Sequence, residues 1–145
     1  MKNELVARLT ALGHDVADAG AFSADSTDYP DYAAQVANQV GRGEADRGIL
    51  VCSTGIGMSI AANKVDGIRA AVASSDEEVH LARTHNNINV LTIGANFADP
   101  ADAARWVELF LASPFEGGRH ERRVNKMMAL ESGAPGTSRD ADPKR

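Results

Sequence analysis

The chain has a single cysteine, Cys52, closing the apolar run Gly48-Ile49-Leu50-Val51-Cys52. A short, wholly apolar segment of this kind suits a strand buried on both faces of a parallel sheet. Ser53-Thr54-Gly55-Ile56-Gly57 follows as a glycine-containing turn, and Met58 to Lys64 carries a short helical pattern. In open α/β sheets ligands bind beyond the carboxyl ends of the strands. A helix N-terminus at that place offers free amide donors and a field that favours an anion, a thiolate included. One reading makes Cys52 a base or nucleophile beside an amide cradle. The other makes it a small apolar core residue above a tight turn. The glycines match neither a Walker A loop nor Gly-x-Gly-x-x-Gly, so they do not decide between the two.

Three further positions have chemistry to offer. His85 stands in Arg83-Thr84-His85-Asn86-Asn87-Ile88-Asn89, just past a helical pattern and just before a strand. That places it on a connecting loop, where binding groups concentrate; a loop histidine bonded to local backbone is the alternative. Arg119 and Arg123, in Gly117-Gly118-Arg119-His120-Glu121-Arg122-Arg123, are four apart and share one face of a helix. Two guanidinium forks on one face suit a phosphate, whereas Glu116 and Glu121 nearby allow a merely solvated face. Tyr29-Pro30-Asp31 has the look of a helix entry with proline in its first turn. His14 and His80 lack such context and read as solvent-facing.

These residues need a scaffold, and the rest of the chain supplies an alternating one. Leu5, Leu9 and Leu12 form one stripe of a helix over Glu4–Leu12, ended by Gly13. His14–Gly20 is a weak strand pattern, and Ala33–Gly41 a helix with Ala33, Val36, Ala37 and Val40 on one face. Beyond the strand at 48–52 come a strand over Ile68–Ala73, a helix over Ser75–Thr84 and a strand over Asn89–Gly94. Helices over Pro100–Leu111 and Arg119 to about Leu130 complete the pattern. Strands alternating with helices imply a three-layer αβα, Rossmann-like parallel sheet. Residues 1–132 read as one domain. From Gly133 to Arg145 the chain has almost nothing to bury and reads as a disordered tail.

Composition narrows the class. The chain has 145 residues, 43% hydrophobic and 24% charged, with a net charge of −5. That acidity argues against a nucleic-acid or anionic-membrane binder. One cysteine excludes an internal disulfide framework and a multi-thiolate metal site. With no signal-like start and no long apolar run, the expectation is a cytoplasmic protein with no membrane partner.

The stretches Asp28–Tyr32, Gly43–Lys64, Gly67–Ala71, His85–Leu91 and Gly117–Lys126, in that order, closely resemble the type B ribose-5-phosphate isomerase family, which includes the galactose-6-phosphate isomerase subunits. The resemblance runs from about Leu5 to about Leu130. It implies an aldose–ketose isomerase of a phosphorylated sugar, ribose 5-phosphate to ribulose 5-phosphate first, with no metal or organic cofactor. It implies a homodimer or tetramer with the site at the subunit interface, so that His85 and Asn86 face the partner subunit's thiol. By the resemblance Cys52 is the base of a cis-enediolate mechanism, Thr54 assists proton movement, and His85 opens the furanose ring. Ser53, Gly55 and Gly57 lend amides to the oxyanion, Tyr29 and Asn86 line the pocket, and Arg119 and Arg123 hold the phosphate.

The chain departs from the family in three places. Ser53 replaces a common glycine. Asn96 stands where many relatives have an arginine, which leaves the sugar open: galactose 6-phosphate or a tetrulose phosphate are alternatives. The family's first strand and its Asp-His loop have no counterpart. That strand sits centrally in a doubly wound sheet, so the natural polypeptide is expected to begin roughly 14 residues earlier, with Met1 an internal or misassigned start. A non-catalytic phosphosugar-binding or assembly subunit is therefore the second functional class.

Overall fold

The computed structural model describes residues 1–23 and 25–131. Its elements are α1 (Lys2–Ala11), α2 (Tyr29–Gly41), β1 (Gly48–Cys52), α3 (Ile56–Ala62), β2 (Ala70–Ala73), α4 (Asp76–Asn86), β3 (Val90–Gly94), α5 (Pro100–Ala112) and α6 (Arg119–Met128). The strands are parallel in the order β1-β3-β2, with Gly48 opposite Val90 and Cys52 opposite Gly94. β3 lies in the middle, and all five of its residues are buried.

Alternation along β3 divides the core. Leu91 and Ile93 face one layer, where they meet Leu5 and Leu9 of α1, Val79 of α4, and Trp106 and Phe110 of α5. Val90 faces the other, packed with Ala33 and Ala37 of α2 and Met58 and Ala62 of α3. A run buried at every position can satisfy two such layers, its one polar side chain, Thr92, donating to the Ala71 carbonyl, whereas a half-exposed strand would alternate. The sheet is thus covered on both faces, and the architecture is the three-layer αβα arrangement read from the sequence.

Local chemistry sets the helix ends. Ser75 caps α4 by accepting from the Glu78 amide, and Asp99 caps α5 by accepting from the Asp102 amide ahead of Pro100. Trp106 Nε1 donates to the Asp76 carboxylate at 2.9 Å, tying α5 to the start of α4. Asn87, in the left-handed region at φ 50°, ends α4.

Several expectations need correction. The strand read at His14–Gly20 does not form: the segment has no regular structure. A strand is held by a neighbour's hydrogen bonds, and here a cleft of about 980 Å³ stands between this segment and β1. α2 begins at Tyr29, the helix entry read from Tyr29-Pro30-Asp31, whereas α3 begins at Ile56 rather than Met58, because the turn residues ahead of its apolar stripe already take helical geometry. α4 runs on through Asn86, so His85 and Asn86 occupy its last turn and not a loop. The tail read at 133–145 lies outside the described residues. His14 and His80 are exposed, as expected. No helix among the described residues is long and apolar enough to cross a membrane.

Candidate active site

Cys52 ends β1, half-buried and unpaired with any other sulfur. Its Sγ accepts a hydrogen bond from the Gly55 amide at 3.1 Å, a contact that strengthens as the sulfur gains negative charge. The chain must double back to make it, and does so with Gly55 at φ 75°. A Cβ there would lie 3.0 Å from the Gly94 nitrogen at the end of β3, so glycine meets both the conformation and the close approach. Thr54 Oγ1 accepts from the Ile56 amide at 3.3 Å, which fixes its hydroxyl at the entry to α3. On the other flank the Ala95 amide donates to the Cys52 carbonyl at 2.8 Å and the Asn96 amide to the Ser53 carbonyl at 3.0 Å. Tyr29, in the first turn of α2, seats its ring against Gly57; a Cβ at Gly57 would lie 2.6 Å from the tyrosine oxygen. Tyr29, Cys52 and Ser53 all line the cleft beside β1. One sheet end therefore gathers Tyr29, Cys52, Ser53, Thr54, Gly55 and Gly57: a thiol, a hydroxyl, a phenol and the amides of an opening helix.

A second group forms around the last turn of α4. His85 stacks on His120 of α6, with ring centroids 4.0 Å apart and planes 7° from parallel. Glu116 Oε2 stands 3.8 Å from His85 Nε2 and 3.6 Å from His120 Nε2. Arg119 Nε donates to His120 Nε2 at 3.4 Å. Arg119 and Arg123 are exposed, one helical turn apart on α6, and Asn86 is exposed next to His85. Burial, with His85 and Arg119 close by, pushes the His120 imidazole below its ordinary value.

Arg83 holds this group together. It is buried, 3% exposed, and its guanidinium donates to the Ser113 and Ile88 carbonyls and to Asn87 Oδ1. The Glu116 amide donates to the Thr84 carbonyl at 3.1 Å. Together these bonds press the segment after α5 against the end of α4, which is what brings Glu116 and His120 to His85. Desolvation lowers the Arg83 pKa to about 10, still charged at neutral pH.

The two groups lie at opposite ends of the sheet. Cys52 is level with Gly94, the last residue of β3, while His85 shortly precedes Val90, its first. Four residue steps at about 3.3 Å separate those levels by roughly 13 Å before the connecting loops are counted. The structure thus brings the sequence-read site residues into two constellations. Cys52, Thr54 and Tyr29 belong to one, and His85, Asn86, Arg119 and Arg123 to the other. Sequence reasoning missed the parts played by Glu116, His120 and Arg83. Glu116 was read only as a counter-charge to the arginines, yet it turns toward the histidines. Its spacing of four from His120 was the one available signal; the approach to His85 rests on contacts between distant segments.

Known proteins resemble this chain over most of its length. Residues 1–127 match the family model described as Ribose/Galactose Isomerase. The chain is 47% identical over 131 residues to ribose-5-phosphate isomerase B of Escherichia coli, covering 90% of this chain and 88% of that protein. Among solved structures it resembles ribose-5-phosphate isomerase B of Mycoplasma genitalium with bound ribulose-5-phosphate (TM-score 0.87, 40% identity, 90% of this chain and 88% of that one). It also resembles that of Clostridium thermocellum (TM-score 0.89, 42% identity, 91% and 89%).

Proposed function

Because this chain belongs to the ribose/galactose isomerase family and is a sugar-phosphate isomerase, we propose that it interconverts ribose 5-phosphate and ribulose 5-phosphate with Cys52 as the base. The observation that carries this reading is the seat of Cys52: a thiol at a strand's carboxyl end, holding an amide hydrogen bond at the turn into α3. On the open-chain aldose the Cys52 thiolate takes the proton from C2. The C2–H electron pair forms the C1–C2 double bond, and the carbonyl electrons move to O1, giving a cis-enediolate. The proton returns to C1, O2 gives up its proton and becomes the ketose carbonyl, and O1 ends as a hydroxyl. Thr54 stands where it can pass the proton between the two oxygens. Amides of Ser53 to Gly57 face the developing oxyanion, a preorganised role worth about 3 kcal/mol per donor.

Ring opening and phosphate binding fall to His85, Asn86, Arg119 and Arg123. A base and a ring-opening histidine must both reach atoms of one small sugar, which the two ends of one sheet do not allow. A second copy, oriented so that its α4–α6 group covers the Cys52 loop, supplies them. The working unit is then at least a homodimer, free of metal and organic cofactor, in a reducing cytoplasm that keeps the thiol free. The direct test is ketose formation from ribose 5-phosphate by purified Cys52→Ala. Activity should fall by two or more orders of magnitude, the scale of a positioned base, with the fold unchanged by circular dichroism. Retention of more than about a tenth of the wild-type rate would remove Cys52 from the role. Asn96, bonded by its backbone to Ser53 beside the thiol, bears on sugar size, so galactose 6-phosphate belongs in the same assay.

A further inference from the structure

The arrangement of His85, Glu116 and His120 exceeds what ring opening asks for. One imidazole suffices to exchange a proton with a ring oxygen, yet a second lies stacked on it and a carboxylate faces both. The three ligand atoms lie within 4.8 Å of one another. A tetrahedral ion with donors at about 2.0–2.1 Å holds them about 3.4 Å apart. The separations of 3.6 and 3.8 Å from Glu116 Oε2 to the two Nε2 atoms are within a few tenths of an ångström of that. We propose that His85, Glu116 and His120 form a site for a divalent transition-metal ion, Zn²⁺ above all, and that its occupation removes His85 from catalysis.

The donor set selects the ion. Two imidazoles and one carboxylate suit zinc and its neighbours, whereas magnesium and calcium want oxygen ligands throughout. Three protein ligands leave a fourth position open to water, as in zinc sites that exchange with solvent. The hydrogen bond from Arg119 Nε to His120 Nε2 matches the tautomer a metal requires, with the lone pair on Nε2 and the proton on Nδ1. His120 is buried and held, Glu116 is tied at its amide to Thr84, and His85 is fixed in the last turn of α4. Binding displaces the 3.4 Å hydrogen bond from Arg119 and turns the half-exposed His85 ring out of its parallel stack on His120, because two parallel rings 4.0 Å apart cannot both aim Nε2 at one ion. The guanidinium groups of Arg119 and Arg123 on the same helix oppose a cation, so this is a site for reversible occupation at elevated metal and not a permanent structural centre. Inhibition follows directly, because an imidazole whose Nε2 coordinates a metal has no lone pair left for the sugar. That consequence rests on the role proposed for His85; the binding does not.

The full chain, titrated with Co²⁺ alone, should take up one equivalent with the visible d–d bands of a tetrahedral ion and without a thiolate-to-cobalt charge-transfer band. Zn²⁺ affinity, measured by competition with a chromophoric chelator, should weaken at least about tenfold in Glu116→Gln and in His120→Asn and stay unchanged in Cys52→Ser. Glu116 is exposed, so its variant folds even where the His120 variant does not. Zn²⁺ should slow isomerisation by the wild-type protein, and a chelator should restore it. Absence of binding, a thiolate charge-transfer band, or affinity indifferent to Glu116→Gln would overturn the site. Metal binding of the expected kind in a protein without isomerase activity would overturn the functional reading and leave the site standing. An active isomerase that binds no Zn²⁺ would do the reverse.

Discussion

A mixing experiment follows from the separation of the two constellations. Cys52→Ala removes the base from its own sheet end, and His85→Asn removes the ring-opening imidazole from the other. Each homomer should be inactive, because every shared site lacks one group. Unfolded together in equal amounts and refolded, the two variants distribute statistically, so about half of the dimers carry one chain of each kind. In such a dimer one site combines the intact Cys52 of one chain with the intact His85 of the other. The second site has neither. Half the dimers with half their sites working restore about a quarter of wild-type activity. If both groups instead served one site within one chain, every mixed dimer would contain two dead sites and nothing would return. The roughly 13 Å between the ends of β3 is too far for both groups to touch atoms of one pentose. The assay is the initial rate of ketose formation, with size-exclusion chromatography to verify the assembly. A mixture no more active than the separate variants would refute the shared site, as would full activity in a strictly monomeric wild-type fraction.

Two other outcomes can be checked with single variants. Replacing Arg119 or Arg123 by Ala should raise KM for the sugar phosphate by about one to two orders of magnitude, the worth of charge-assisted hydrogen bonds to a phosphate, and weaken inhibition by inorganic phosphate in parallel; unchanged values in both would return the pair to a solvated helix face. His120 is held below the ordinary imidazole pKa, so at mildly acidic pH the unfolded chain binds its proton more readily than the folded one. Stability is then complete above about pH 6.5 and declines as the pH falls from there toward the folded pKa. Urea midpoints between pH 8 and 5 should show this decline, and His120→Asn should flatten it; parallel curves for the two proteins would contradict it.

Most of the architecture was legible because it is written locally. The wholly apolar run at Gly48–Cys52, the strand pattern at Asn89–Gly94 and the stripe of Ala33, Ala37 and Val40 each carry their meaning within a dozen residues. His14–Gly20 was misread because strand formation is not local. A weak extended pattern becomes a strand only with a neighbour in hydrogen-bonding distance, and a cleft lies there instead. His85 was assigned to a loop because one more helical turn depends on Asn87 adopting the left-handed conformation, which asparagine tolerates but does not dictate. The grouping of His85 with Glu116 and His120 had no local sign beyond the spacing of four between Glu116 and His120. It is made by Arg83, whose buried guanidinium bridges α4 and the segment after α5, and nothing in the run Arg83-Thr84-His85 distinguishes that arginine from a surface one.

The polarity of the sheet explains why the chemistry is divided. In a parallel sheet every strand points the same way, and each crossover helix carries the chain back to the strands' starting edge. Loops that follow strands, such as the one after Cys52, collect at one edge, while helix ends that precede strands, such as the last turn of α4, collect at the other. A thiol at a strand's end and an imidazole at a helix's end are therefore held apart by the length of the sheet, and no rotamer closes the gap. Arg119 and Arg123 share the fate of His85, because α6 begins beside it, bound there through the His85–His120 stack. Moving one of these groups would not complete a site, since all of them sit on the same side of the same boundary. Juxtaposing the starting edge of one copy with the finishing edge of another brings the whole set together at once. That is why the proposed activity belongs to the assembly, and why the mixed-variant experiment tests the fold's geometry as directly as it tests the chemistry.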